Sequence, residues 1–427
     1  MQTNTRSLSD IIDKRNKRKQ EQDSSSTTNP YEVVSSPILY PERRGEKVLD
    51  TFQNLAWLLS HFNAEIKYNL MTRRTEINIP GHFMFQDDLE NSALARVDYL
   101  ATINGMPTKK LPEHLDTLAY LNTYHPVVEC IKSKKWDGIK RVDEFIETIQ
   151  AANQQLARKI IRTFMIAAVA AAHSIDGFVN EGVLVLQGKQ SLGKTTWIKN
   201  LSPLKRGAVK EGAFLDPSNK DSVMQLAEYW IVELGELDSI FSKSAIGRLK
   251  SFITMQTDQV RSPYARKSMR LPRRSVYAAT VNEESYLVDE TGNRRWWTIN
   301  VLSVNNEHGL DMQQVWAEIY EEWRNNALTY LPKDLQDEVN QSNKQFEKID
   351  PLKEKLLDWY DWESPFRKWL TASAILEEMG YMNPHPKEAT RIGKLLVEIN
   401  GKPPRPSNGR MLHEVPSKIL YRNSGNV

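Results

Sequence analysis

Four consecutive residues, Val183-Leu184-Val185-Leu186, form an apolar run ending at Gln187, without the alternation of a strand that has one wet face. Such a run belongs in a parallel sheet covered on both sides, which commits this part of the chain to a layered α/β architecture. The run leads into Gly188-Lys189-Gln190-Ser191-Leu192-Gly193-Lys194-Thr195, a G-x-x-x-x-G-K-T loop, and then into the helix-compatible Thr196-Trp197-Ile198-Lys199-Asn200. A glycine-rich loop between a buried strand and a helix N-terminus turns backbone N–H groups inward and has the form of a phosphate cradle. In this reading Gly188 to Thr196 bind nucleotide, Lys194 reaches the outer phosphate oxygens and the Thr195 hydroxyl ligates Mg²⁺. An ordinary glycine turn is the competing reading, and it treats the strand, the helix and the full motif as coincidence.

The surrounding pattern extends the same architecture. A long Ala- and Ile-rich helix is expected from about Leu156 to His173, then a helix over about Ser218 to Glu228 and the strand Tyr229 to Leu234. A helix over about Lys243 to Met255 and the strand Ser275 to Val281 follow, so strands alternate with helices around the loop. Upstream, helical spacing from Val48 to Phe62 and alternation through Ile66, Tyr68, Leu70, Ile77 and Ile79 suggest a small mixed domain containing a hairpin. The expected division is a basic tail over 1–35, a small α/β domain over 36–120, the nucleotide-binding domain over 121–330, a linker helix over 331–365 and a C-terminal domain over 366–427. That last segment is expected to be mostly helical, with Thr371 opening one helix and Arg391 to Ile399 forming another. A winged-helix-like DNA module and a helical lid or oligomerisation piece are both compatible with it.

Hydrolysis of a nucleotide needs more than a loop. Glu233 ends an apolar strand, where a carboxylate can bind Mg²⁺, and Glu236 is placed to orient the attacking water, with Asp238 as a weaker rival. These acids also suit the start of a helix, where carboxylates meet the positive dipole end. Asn282 follows the apolar strand Ser275 to Val281 and is a candidate sensor between γ-phosphate and water, or else a turn or cap residue. Arg294 and Arg295, in Gly292-Asn293-Arg294-Arg295-Trp296-Trp297, are candidates for an arginine finger. On that side of a sheet a finger would have to serve a neighbouring subunit's loop, and an Arg–Trp stack is the alternative.

Bulk charge does not announce a nucleic-acid binder, because 57 Lys and Arg face 54 Asp and Glu. Local charge does: Arg261 to Arg274 packs six cationic side chains around Tyr264 and carries two prolines, which suits a protruding hairpin. Arg261, Tyr264, Arg266, Lys267 and Arg270 are the candidate DNA contacts, against the plainer reading of a solvated loop. The single cysteine, Cys130, excludes an internal disulfide framework and a Cys-based zinc module, and is expected to be a buried helix residue. With no apolar run long enough to span a bilayer and no secretory signal, a cytoplasmic protein without membrane contact is expected. The Lys14 to Lys19 charge run and the Ser24 to Thr28 tract cannot form a core.

In order, the loop, Trp230-Ile231-Val232-Glu233-Leu234-Gly235-Glu236-Leu237, Arg261-Ser262-Pro263-Tyr264, Ala279-Thr280-Val281-Asn282 and the Gly292 to Trp297 segment resemble the virulence-associated protein E family. The upstream His125-Pro126-Val127 and Trp136-Asp137-Gly138 with Arg141 resemble it too. Relatives occur in phages, prophages and mobile islands and are related to superfamily 3 helicases of the AAA+ class. The resemblance implies a P-loop ATPase core, ATP and Mg²⁺ as cofactors, and a homo-hexameric replicative helicase on single-stranded or forked DNA in the bacterial cytoplasm. It implies the site roles given above for Lys194, Thr195, Glu233, Glu236, Asn282 and Arg294 or Arg295, and places Arg266, Lys267 and their neighbours in a central channel. An origin-opening or helicase-loading ATPase, or a nucleotide-switched protein assembly factor, are the alternative functions.

Overall fold

The computed structural model describes residues 38–80, 89–205, 207–215, 219–235, 243–260, 269–287, 293–348 and 350–418. These residues form two compact units: one up to Asn282 and again over Arg294–Val339, the other comprising Lys243, Glu283–Asn293 and Asn340 onward.

In the first unit the expected hairpin is β1 (Glu65–Asn69) against β2 (Arg74–Asn78), with Ile66 opposite Ile77, and β3 (Thr123–Tyr124) adds to β1 in parallel. Three helices, α1 (Phe52–Ser60), α2 (Leu89–Ile103) and α3 (Leu111–Leu121), accompany it. Thr51 caps α1 by accepting from the Asn54 N–H, which turns Leu55, Leu58 and Leu59 into a shared core with Val97, Leu100 and Leu115.

Next come α4 (Pro126–Lys132), α5 (Val142–Ile146), β4 (Ile149–Ala151) and α6 (Gln154–His173). Cys130 is a half-buried residue of α4 rather than a fully buried one. The turn Trp136-Asp137-Gly138 is held by a bidentate Arg141–Asp137 pair with both contacts at 2.8 Å. That pair draws the Asp137 carboxyl down to about 2. Helix α6 is capped by Asn153 and buries twelve side chains, which places it under the sheet as the central element of the core.

The sheet has six strands in the order β4-β11-β5-β10-β7-β6, where β5 is Val183–Gln187, β6 Val209–Ala213, β7 Ile231–Leu234, β10 Val276–Val281 and β11 Trp296–Val304. All neighbours are parallel except β4, which runs antiparallel to β11. Every residue of β5 is buried, as its unbroken apolar run requires of a central strand. The helices between them are α7 (Lys194–Asn200), α8 (Lys220–Leu226) and α9 (Lys243–Ile253). A separate antiparallel ladder, β8 (Thr257–Val260) with β9 (Met269–Pro272), rises between α9 and β10. After the sheet, α10 (Met312–Arg324) packs Val315, Trp316 and Ile319 into the core around α6, and α11 (Lys333–Asn343) adds Leu335 and Val339.

In the second unit α12 (Pro351–Trp359), β12 (Arg367–Thr371), α13 (Ala372–Glu378), α14 (Pro386–Asn400), β13 (Arg405–Ser407) and β14 (Arg410–Pro416) follow in order. The strands form an antiparallel sheet ordered β12-β14-β13, and Thr371 caps α13. Leu356, Ile375, Leu376, Ile392, Leu396 and Val415 make its core. Among the described residues no helix is long and apolar enough to cross a membrane.

Candidate functional site

Strand β5 delivers the chain to Gly188 at the carboxyl ends of the parallel strands, the side on which open α/β sheets take ligands. A Cβ at Gly188 would lie 2.5 Å from the Val301 carbonyl oxygen, so only glycine lets the loop leave the strand there. Ser191 and Gly193 adopt left-handed φ values of 66° and 83°, which folds the segment back before α7 begins at Lys194. Asn306 braces the turn, donating from Nδ2 to the Gly193 carbonyl at 3.1 Å.

The Lys194 ammonium is 5% exposed, and it donates to the Gly188 and Lys189 carbonyls at 2.7 Å each and to Asn282 Oδ1 at 3.0 Å. Two sequence candidates on different elements therefore meet directly. One residue on, the Thr195 hydroxyl donates to Glu233 Oε1 at 2.7 Å. The Glu233 carboxylate, 1% exposed at the end of β7, also accepts from the Thr280 hydroxyl at 2.9 Å and from the Gly212 N–H at 3.1 Å. At the start of α7, the adjacent Lys194 and Thr195 thus gather Asn282, just past β10, and Glu233 of β7 into one polar cluster.

Lys189, Gln190, Ser191 and Thr196 are exposed around this cluster, while Leu192 is half-buried against the hydrophobic core. Among the described residues no group of three or more His, Cys, Asp or Glu side chains is arranged to hold a metal. A single buried carboxylate beside a hydroxyl suits Mg²⁺, which keeps several waters and takes oxygens from phosphates rather than a full protein cage.

Sequence reasoning passed over Thr280, Asn306 and the Gly212 N–H. Thr280 carries a signal, since it lies two residues before Asn282 in a strand and so shares its face. Asn306 and Gly212 carry none, because only folding brings them to the loop.

The structure does not bring Arg294 and Arg295 to Lys194. Trp296 pairs with Val183, so the arginines stand at the amino edge of the sheet, and the five residues of β5 put about 16 Å between them and Gly188. There they line a polar cavity with Glu181, Trp297, Leu331 and Gln336.

The basic segment divides into two kinds of cation. Arg270 is exposed on β9. Arg273, counted with the basic cluster on sequence grounds, points inward instead: it is 2% exposed, its Nε donates to Asp258 at 2.7 Å, and its guanidinium lies 3.8 Å over the Phe252 ring. Arg274 is likewise engaged, its Nε donating to the Ser174 carbonyl at 2.8 Å. A cationic run in sequence cannot distinguish charges that face solvent from charges that anchor the root of a ladder. Glu236, with its rival Asp238, and Arg261, Tyr264, Arg266 and Lys267 lie outside the described residues.

The fold is that of a mixed α/β protein built on a parallel-rich six-stranded sheet, with its polar cluster at the strands' carboxyl ends. The chain belongs to the virulence-associated protein E-like family, whose domain matches residues 131–348. No curated protein matches it. Among solved structures, the chain is similar to an apo structure of the NrS-1 C-terminal region at 14% identity and a TM-score of 0.41, covering 84% of this chain and 98% of that one. Two structures of the A form of that region, each 13% identical, give TM-scores of 0.42 and 0.44 and cover 85% of this chain and 98% of theirs.

Proposed function

We propose that this protein is an ATP-dependent DNA helicase of a phage or mobile element, a hexameric ring that translocates on single-stranded DNA. The observation that carries this reading is the meeting of buried Lys194 and Glu233 with Thr195 and Asn282 around a strand-to-helix glycine loop. Lys194 would exchange its carbonyl partners for phosphate oxygens, and Thr195 with Glu233 would hold Mg²⁺. The bound metal would neutralise charge on the phosphates. Asn282 would position the attacking water, assisted by Glu236 as the second acid. With Gly188 to Thr196 as the cradle, the backbone N–H groups of the turn face the same ligand.

The distance of Arg294 and Arg295 from their own loop favours service to a neighbouring copy's site, which in turn favours a closed ring. Arg261, Tyr264, Arg266, Lys267 and Arg270 would contact DNA from the β8–β9 ladder, a short stem suited to entering a channel. The test is strand displacement on forked substrates of both polarities, with ATP hydrolysis measured in parallel. Lys194→Ala should abolish both activities, and full turnover in that variant would end the assignment. Mixing it with an Arg294→Ala, Arg295→Ala double variant should restore part of the hydrolysis if the site is shared between subunits.

A further inference from the structure

The C-terminal unit carries a second positively charged surface that plays no part in the proposed motor. From Lys387 to Arg410 six cationic residues stand against two acids. Both acids are already engaged: Glu388 Oε2 accepts the His385 N–H at 3.0 Å in a capping box, and Glu398 pairs with Lys353. Arg391 bonds Asp350 through Nε at 2.8 Å while its side chain stays 56% exposed, and Lys402 reaches Glu414 at 2.8 Å. Lys387, Lys394, Arg405 and Arg410 are exposed and make no ion pair among the described residues.

The geometry of the surface is specific. Helix α14 has fifteen residues and so is about 22 Å long. Its inner face is fixed by Ile392, Leu395 and Leu396, and Gly393 lets the helix close on His413, where a Cβ would lie 3.1 Å from Nε2. Lys387 and Lys394, seven residues apart, therefore share the outer face with Thr390 and Arg391 between them. Helix α13 precedes it through a turn containing Gly380 at φ +90°, giving two helices in helix-turn-helix order. Beyond α14, β13 and β14 meet at Asn408 and Gly409, with φ of 47° and 74°, a tight two-residue hairpin turn closed by Ser407 opposite Arg410, with Arg405 two residues before Ser407 on the same face.

We infer that α14 and the β13–β14 hairpin form a docking surface for duplex DNA, with α14 in the major groove and the hairpin arginines on adjacent phosphates. The outer face of α14 carries no aromatic side chain, so it lacks the stacking platform that single strands need. An α-helix fits the B-form major groove, whereas the deep, narrow major groove of A-form RNA excludes it. Lys387, Arg391, Lys394, Arg405 and Arg410 supply the phosphate contacts, and Thr390 is placed toward base edges. None of these contacts requires nucleotide or the glycine-loop site.

The experiment uses the full chain without ATP and a fluorescent DNA duplex about three helical turns long, followed by anisotropy over a salt series. The Lys387→Ala, Lys394→Ala and the Arg405→Ala, Arg410→Ala double variants should each weaken duplex binding about tenfold at physiological salt. Each should also lower the slope of log K against log salt by about 1.8, two phosphate contacts' worth. A Lys387→Arg, Lys394→Arg variant should keep both the affinity and the slope, and the melting temperatures of all variants control for folding. Unchanged duplex affinity in the alanine variants would overturn the inference. So would an equal loss on a single-stranded oligonucleotide, or equal wild-type affinity for an RNA duplex.

Discussion

Replacing Glu233 separates its service as a buried acceptor from its proposed service to a metal. The carboxylate receives three donors, from the Thr195 hydroxyl, the Thr280 hydroxyl and the Gly212 N–H, and it is 1% exposed. Glu233→Ala takes the acceptor from two half-buried threonine hydroxyls, while water can reach the exposed Gly212 N–H; at roughly 1.5 kcal/mol for each hydrogen bond to the charged group, the loss should be about 3 kcal/mol. For a unit larger than the typical domain that lowers the melting temperature by about 4 °C. Glu233→Gln behaves differently. Its single carbonyl can take the Gly212 N–H while its amide donates to the two threonine oxygens, because hydroxyls rotate to accept as readily as they donate. Only the charge assistance disappears, about 1 kcal/mol, and melting should shift by about 2 °C. A glutamine is nevertheless a poor Mg²⁺ ligand, so ATP turnover should fall at least 100-fold while the fold persists. Calorimetry and a phosphate-release assay on the three proteins decide the matter. Near-normal turnover in Glu233→Gln would refute the metal role, and wild-type melting in Glu233→Ala would refute the acceptor network.

Three further outcomes follow from packing and charge. Asp258→Ala strands the Arg273 guanidinium, 2% exposed, without its partner and should cost about 3–5 kcal/mol in denaturant unfolding. Gly182→Ala would set a Cβ 2.3 Å from the Trp297 indole, which is itself only 3% exposed, for a loss of about 1–3 kcal/mol, and Trp297→Leu in the same chain should restore part of it. His125 is held neutral in the fold, its pKa pushed down to about 3, chiefly by burial and then by Arg274 and His173. The unfolded chain takes up that proton near pH 6.5, so stability should fall as pH drops from about 6.5 toward 3, by up to about 1.4 kcal/mol per unit. A His125→Leu variant should flatten that limb of the stability profile measured by denaturant titration.

Much of the architecture was legible residue by residue. The expected helix from Leu156 to His173 runs from Gln154 to His173, and the expected strand Ser275 to Val281 runs from Val276 to Val281. Both were readable because burial on all sides removes polar residues from a segment, and composition records that directly. The strand expected from Tyr229 begins at Ile231, since pairing with β6 and β10 sets its start rather than its apolar content. That Arg273, one of the six cations of the basic run, turns inward was not legible, because charge is visible in sequence but direction is not.

The sequence by itself determined the local devices: the buried strand, the glycine loop, the lysine and threonine that open α7, and a carboxylate ending an apolar strand. Each depends on neighbours within a few residues, where spacing and dihedral preference are enough. Only the tertiary structure decided that Asn282, 88 positions from Lys194, shares its ammonium, that Thr280 and Gly212 complete the shell of Glu233, and that Arg294 and Arg295 face away. Those outcomes rest on strand order and register, which long-range packing fixes and no short stretch of chain encodes.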